Sequence, residues 1–222
     1  MKHEDSKSCD NKYIIAKNKY KKDLFYMLAS HNSKTFNKAT NCIVELFSFM
    51  WRCQDKTMSE QYERGVRFFD IRVHRTSKGS WGYCHGLANV YGGAGDLKAL
   101  YNLMRTVYPD AKYRILLEKV HKESDAKLFE DEMSKLISEE ADVKKYVQCF
   151  VIKNGWKVLW NNDEMNYSIV DYSWVPFTSD KPWHKQLSWK IFSNPKRWAK
   201  KHNNITEEEI NDMNTLYFYD FV

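Results

Sequence analysis

No apolar run in the 222-residue sequence approaches the roughly 18 residues that a membrane-spanning helix needs. Residues 1–6 are polar and lack the apolar stretch of a secretory signal. These two absences predict a soluble protein without a transmembrane segment. We therefore expect it in the cytoplasm or at the periphery of a membrane.

The five cysteines are odd in number and form no CxxC pair, which argues against a disulfide framework and for thiols in a reducing compartment. The glycine-bearing stretch at residues 91–95 does not follow the GxGxxG pattern between a strand and a helix. We interpret it as a loop without a phosphate-binding role.

The composition is that of a folded chain with a sizeable core. Apolar residues make up 43% and aromatic residues 15% of the sequence, which excludes a disordered chain. Neither an internal repeat nor a domain boundary is visible. We expect a polar lead-in at residues 1–22 and one domain at residues 23–222.

The net charge of +6 favours an anionic partner, either an acidic membrane surface or a nucleic acid, although simple solubility explains it equally well. The basic residues are spread along the chain without a nucleic-acid-binding motif, so we expect no nucleic-acid partner. We expect a monomer.

Short apolar runs alternate with helical patterns along the chain. Runs before residue 31, at 66–73, at 81–85 and at 113–120 read as strands, and Asp96 caps a predicted helix that continues to Val107. This alternation predicts a mostly parallel α/β fold, a compact TIM-type (β/α)8-like barrel. The chain is short for such a barrel, so helices or loops must be trimmed.

Charged and polar side chains stand where these strands end. His31 follows the first strand, Asp70 and Arg72 lie on the second, and His85 follows the third. Two histidines beside a carboxylate and an arginine could move protons and stabilise a phosphate. The alternative is structural: a buried Asp70–Arg72 ion pair and histidines without a catalytic role.

These residues lie in three motifs, which follow one another along the chain: Ser30-His31-Asn32-Ser33-Lys34-Thr35, the stretch from Gly65 to Arg72, and His85-Gly86. A fourth motif is the C-terminal strand at residues 216–221. The pattern resembles the phosphatidylinositol-specific phospholipase C family in its bacterial, metal-independent form. The resemblance implies a phosphodiesterase that cleaves a phospholipid to diacylglycerol and a cyclic phosphate without a cofactor.

The resemblance also implies roles for individual residues. His31 would be the general base and His85 the general acid, with help from Asn32. Arg72 would bind the phosphate and Asp70 would orient Arg72. Asp220 would hold the His31 ring.

One departure opens a calcium-dependent alternative. Asn32 stands where the bacterial enzymes have an aspartate, and in the eukaryotic enzymes an asparagine there helps to bind Ca²⁺. Asn32, Asp70 and Glu118 would be the metal ligands in that case. Arg72 replaces a second carboxylate that such a site needs and would repel a cation, which favours the metal-free reading.

The remaining expectations concern substrate and membrane. Glu118, Asp171 and Tyr172 are candidate substrate-binding residues. The apolar segment at residues 39–52 predicts a short helix, with Phe47, Met50 and Trp51 as its contacts to an anionic membrane surface. A non-catalytic lipid- or inositol-phosphate-binding protein remains a further alternative.

Overall fold

The computed structural model describes residues 28–165 in full, the backbone of residues 168–171 and 215–219, and the single positions 196 and 199. Nine strands form one sheet: β1 (Leu28–Ser30), β2 (Phe68–Arg75), β3 (Trp81–His85), β4 (Ala88–Ala94), β5 (Lys112–Lys119), β6 (Val147–Ile152), β7 (Lys157–Asn161), β8 (Ser168–Asp171) and β9 (Thr215–Tyr219).

The sheet follows the order β7-β6-β5-β2-β1-β9-β8, with the β3–β4 hairpin attached to the end of β2. The six neighbours from β6 to β8 are parallel, and β7 is antiparallel to β6. Parallel pairing places the carboxyl ends of these six strands at one edge of the sheet.

Five α-helices lie within the described residues: α1 (Cys42–Leu46), α2 (Met58–Glu63), α3 (Leu97–Val107), α4 (Glu123–Glu139) and α5 (Val143–Tyr146). Asp96 caps α3, since its Oδ1 accepts a hydrogen bond from the Ala99 amide at 2.7 Å. Leu97, Leu100 and Met104, which recur at helical spacing in α3, are buried, whereas Leu103 is 47% exposed. No helix in these ranges is both long and apolar enough to cross a bilayer.

The two faces of β2 differ in chemistry. Phe69, Ile71 and Val73 belong to the main hydrophobic core, where the Phe69 ring stacks on Tyr113 at 6.1 Å. Asp70 and Arg72 alternate with them and therefore lie on the opposite face, which is also buried. The structure thus holds charged side chains inside the protein, at the middle of the sheet.

The predicted mixed α/β fold is confirmed, but a closed barrel is not shown. The sheet path ends at β7 and β8, and within the described residues no ladder joins these two strands. The predicted lead-in at residues 1–22 lies outside the described residues.

Two sequence predictions were wrong in detail. The helix expected at residues 39–52 is only the five-residue α1 followed by a 3₁₀ turn at Ser48–Met50. The loop expected at residues 91–95 largely belongs to β4, because the backbone at this position pairs with β3.

Candidate active site

Five polar residues converge from four strand ends. His31 directly follows β1, Asp70 and Arg72 come from β2, His85 is the last residue of β3, and Glu118 lies near the end of β5. The rings of His31 and His85 are 6.0 Å apart between centroids and nearly perpendicular, at 81°. The structure therefore brings together the residues that the motifs single out.

The His31 ring is held by Arg72 and Asn32. Arg72 Nη2 lies 2.7 Å from His31 Nε2. A guanidinium can only donate, so Nε2 accepts and the proton of a neutral ring lies on Nδ1. Asn32 adopts a left-handed backbone (φ 50°), and its side-chain nitrogen lies 3.1 Å from both ring nitrogens.

Asp70 is fully buried between two arginines. Its Oδ2 accepts from Arg72 Nε and its Oδ1 from Arg114 Nε, both at 2.9 Å. Burial alone would raise the pKa of Asp70, but the guanidinium charges of Arg114 and Arg72 outweigh it and hold the pKa well below its usual range. Asp70 is therefore ionised and fixes the direction of the Arg72 guanidinium.

Glu118 closes the other side of Arg72. Its Oε1 lies 3.4 Å from Arg72 Nη1, accepts from the Gly86 amide at 3.1 Å, and pairs with Lys153. Burial would raise the pKa of Glu118, but the nearby positive charges, Arg72 first among them, lower it to about 2. Arg72 thus contacts two ionised carboxylates and an imidazole.

His85 is in an environment that disfavours its charge. Its Nδ1 lies 2.6 Å from the Trp51 carbonyl oxygen, so Nδ1 carries the proton and Nε2 is left for another partner. Burial, assisted by the charge of Arg72, lowers the pKa of His85 to about 4, although Glu118 acts in the opposite direction. The ring is neutral at pH 7 in the protein as it stands.

Buried polar side chains missed by the sequence analysis support this arrangement. The Gln54 amide donates to the His31 carbonyl at 3.0 Å, and the Gln61 amide donates to the Ser33 carbonyl at 3.1 Å. Arg114 could have been noticed as a charge within an apolar strand. No comparable pattern in the sequence indicates the hydrogen bonds that the two glutamines make.

A cavity of about 540 Å³ adjoins the site. It is lined by the turn at Gly86 and Leu87 and by residues at the ends of β5 and β6, including Glu118, Lys119, Lys153 and Asn154. The lining combines one carboxylate with two lysines. A polar, partly anionic molecule would fit this chemistry.

Two buried oxygens bear on the calcium alternative. Asn32 Oδ1 and Glu118 Oε2 are inaccessible, and neither has a hydrogen-bond partner among the described residues. Both are oxygen atoms of the kind that Ca²⁺ prefers. However, the Arg72 guanidinium contacts Asp70, Glu118 and His31, so a cation at this place would face a fixed positive charge. In addition, among the described residues no group of three or more His, Cys, Asp or Glu side chains could hold a metal.

Several predicted residues cannot be placed in the site. Asp220 and Tyr172 lie outside the described residues, and Asp171 is described only as backbone at the end of β8. Their predicted roles remain predictions.

The three residues predicted to contact a membrane differ in how exposed they are. Phe47 is 48% exposed and Met50 is partly buried, but Trp51 is only 8% exposed. The Trp51 indole donates to the Val44 carbonyl at 2.9 Å and packs in the core beneath α1, so its expected exposure was wrong. The exposed apolar side chains of this segment are Ile43, Leu46, Phe47 and Phe49.

Comparison with known proteins identifies the fold. No family model and no curated protein matches the sequence. Among solved structures, the phosphatidylinositol-specific phospholipase C of Listeria monocytogenes is similar, with 14% identity, coverage of 90% of this chain and 89% of that one, and a TM-score of 0.52. A Staphylococcus aureus enzyme of the same name matches with 13% identity, coverage of 86% and 70%, and a TM-score of 0.43.

The chain is therefore a mixed α/β protein with the fold of a phospholipase C. More particularly, the resemblance to the bacterial phosphatidylinositol-specific phospholipases that the motifs indicate is confirmed at the level of the fold. What the chain acts on is a separate question, since a fold can carry many activities.

Proposed function

We propose that this protein is a phosphorus–oxygen lyase that cleaves phosphatidylinositol or a related phospholipid to diacylglycerol and a cyclic phosphate. The observation that carries the proposal is the pair of histidine rings, 6.0 Å apart, beside a buried arginine. A site that only binds a lipid has no need of two proton carriers. The fold shared with the Listeria enzyme supports the same class of activity.

In the proposed first step, His31 is the general base. Its Nε2 is unprotonated in the neutral ring and would take the proton of the hydroxyl next to the phosphate, displacing the contact with Arg72. That oxygen attacks phosphorus. Because the nucleophile belongs to the substrate itself, its effective concentration is high and no bound water is needed for this step.

Arg72 is the proposed phosphate ligand. The carboxylates of Asp70 and Glu118 hold its Nε and Nη1, so Nη2 is the nitrogen directed toward His31 and the reacting atoms. A guanidinium fixed in this way stabilises charge on the phosphate oxygens without reorganising during the reaction.

His85 is the proposed general acid. Its Nε2 would donate a proton to the diacylglycerol oxygen as the phosphorus–oxygen bond breaks. The low pKa of His85 in the free protein requires the substrate itself to promote its protonation, and the negative charge of the phosphodiester acts in that direction. Asn32 would assist by holding the His31 ring.

The same chemistry could use Ca²⁺ if Asn32, Asp70 and Glu118 were its ligands. The observation in favour of that alternative is that two buried oxygens, Asn32 Oδ1 and Glu118 Oε2, have no hydrogen-bond partner within the part of the chain that the structure describes. We favour the reaction without metal because Arg72 already supplies a positive charge to the site.

Access to a lipid would come from the exposed apolar side chains of the α1 segment, chiefly Leu46 (74% exposed) and Ile43 (67%). We propose that this segment touches an anionic membrane surface, which the net charge of +6 would attract. We also infer that the parallel sheet belongs to a barrel of the TIM type, since β2 is buried on both faces from Phe68 to His74.

The test is turnover of a panel of purified phospholipids, presented in vesicles, with and without a calcium chelator. We expect cleavage of phosphatidylinositol, release of diacylglycerol, and no effect of the chelator. Strict calcium dependence would favour the metal alternative. Tight binding of the lipid without any turnover would favour a binding protein.

A further inference from the structure

Cys53 is fixed in the wall of the site by the loop that carries His31. The backbone amides of Cys53 and Gln54 both donate to Thr35 Oγ1 at 3.0 Å. The same hydroxyl donates to the carbonyl oxygen of Asn32 at 2.8 Å. Cys53 is only 2% exposed, so its side chain has little freedom to leave this position.

The Cys53 sulfur contacts groups that belong to both histidines. On one side Asn32 Nδ2, which lies against the His31 ring, donates to Sγ at 3.4 Å. On the other side the thiol donates to the Trp51 carbonyl oxygen at 3.6 Å, and Sγ lies 3.8 Å from His85 Nδ1. The Trp51 carbonyl is the group that accepts the His85 Nδ1 proton.

This position distinguishes Cys53 from the other buried cysteines. Cys149 Sγ donates to Gln148, its neighbour in sequence, at 3.7 Å, and it packs with Leu116 and Val151. Cys84 is buried within β3. Among the described cysteines, Cys53 is the one whose thiol contacts both Asn32 and His85.

Removal of the sulfur would loosen Asn32 first. Its side-chain oxygen has no hydrogen-bond partner among residues 28–165, and without Cys53 its nitrogen would lose the sulfur acceptor as well. An amide with fewer partners rotates more easily, and this one touches the His31 ring. The Trp51 carbonyl would lose a donor at the same time, and with it part of the support of His85.

We propose that Cys53 is a positioning residue that couples the two histidines through Asn32 and the Trp51 carbonyl. The role in catalysis rests on the proposed function. The coupling itself rests only on the geometry.

The experiment compares Cys53→Ala, Cys53→Ser and a matched buried control, Cys149→Ala. Serine keeps one donor and an acceptor at the same place, whereas alanine keeps neither. We expect Cys53→Ala to lower kcat by about 10- to 100-fold with little change in KM, since small displacements of reacting groups cost that much. Cys53→Ser should recover most of kcat, and Cys149→Ala should affect stability but not kcat.

A second readout needs no substrate. The ¹⁵N shifts of His85 report which ring nitrogen carries the proton. We expect the Nδ1-protonated form in the wild type and in Cys53→Ser, and averaged values of the two forms in Cys53→Ala. If Cys53→Ala does not fold, Cys53→Val fills the site without hydrogen bonding and gives the same comparison.

The outcomes are distinct. Absence of lipid cleavage by the wild type would contradict the proposed function but leave the ¹⁵N comparison to decide the role of Cys53. Wild-type ¹⁵N shifts in the alanine or valine variant would overturn the coupling. Equal loss of kcat in Cys53→Ala and Cys149→Ala would also overturn it, because it would show a general packing effect.

Discussion

Asp70→Asn tests whether the centre of the site is an ionic network. Asp70 is 0% exposed and joins Arg72 and Arg114 through two bonds of 2.9 Å. Asparagine keeps one acceptor oxygen but no charge, so it satisfies at most one guanidinium and places an amide donor against the other. Removal of one partner from a buried ion pair costs about 3–5 kcal/mol. We expect a loss of that size in the free energy of unfolding.

The assay is urea unfolding followed by far-ultraviolet circular dichroism at pH 7. Asp110→Asn is the matched control, since Asp110 pairs with Arg67 at 3.0 Å but is 52% exposed. An exposed pair contributes under about 1 kcal/mol. If Asp70→Asn is no more destabilising than Asp110→Asn, the network does not stabilise the site and the reasoning is refuted.

The pH dependence of the same variant follows from the lowered pKa of Asp70. A carboxylate with a depressed pKa in the folded state stabilises the protein above its unfolded pKa of about 4, and this stabilisation is lost as the pH falls toward the folded value. The difference in the free energy of unfolding between the wild type and Asp70→Asn should therefore shrink as the pH falls from about 4 to about 2. A difference that stays constant over this range would contradict the lowered pKa of Asp70 in the folded protein.

Three further outcomes are expected. The pKa of His85 is about 4 in the free protein, and the bound phosphodiester should raise it, so the basic limb of the kcat/KM profile should lie at lower pH than the basic limb of the kcat profile. Basic limbs at the same pH in the two profiles would contradict this prediction. Arg72→Lys should lose most of its activity, since a lysine cannot bridge two carboxylates and a phosphate, and a calcium chelator should not change the activity of the wild type. Activity that persists in Arg72→Lys but disappears when chelator is added would refute the metal-free site. Leu46→Ser should weaken binding to anionic vesicles in a sedimentation assay without changing the melting temperature, whereas the main effect of Trp51→Ala should be a lower melting temperature. The reverse pattern would refute the proposal that Leu46 contacts the membrane and Trp51 belongs to the core.

The strands and the site residues on them could be predicted because local patterns encode them. The β3 strand at Trp81–His85 has the predicted bounds, since it is a short apolar run that is largely buried. His31 and His85 could be predicted because His31 directly follows β1 and His85 ends β3, and strand ends are visible in the sequence.

The rest depends on contacts that no local pattern contains. The meeting of Arg114 with Asp70 follows from the β2–β5 register, which pairs these two residues across 44 positions of sequence. Trp51 was expected at the surface because an apolar run alone does not show which face is covered. Its burial follows from the hydrogen bond to Val44 and from the break of the helix after α1. Cys53 and Gln54 lie in a segment without periodicity, so only the folded chain shows their role.

The most direct test of the central claim is ³¹P NMR of the products from phosphatidylinositol vesicles, recorded for the wild type, His31→Ala, His85→Ala and the exposed control Lys78→Ala. We expect a cyclic phosphodiester from the wild type and from the control. We expect rates lower by about 10²- to 10⁴-fold for His31→Ala and His85→Ala, the usual contribution of a general acid or base. A wild-type rate in either of these two variants would contradict the central claim.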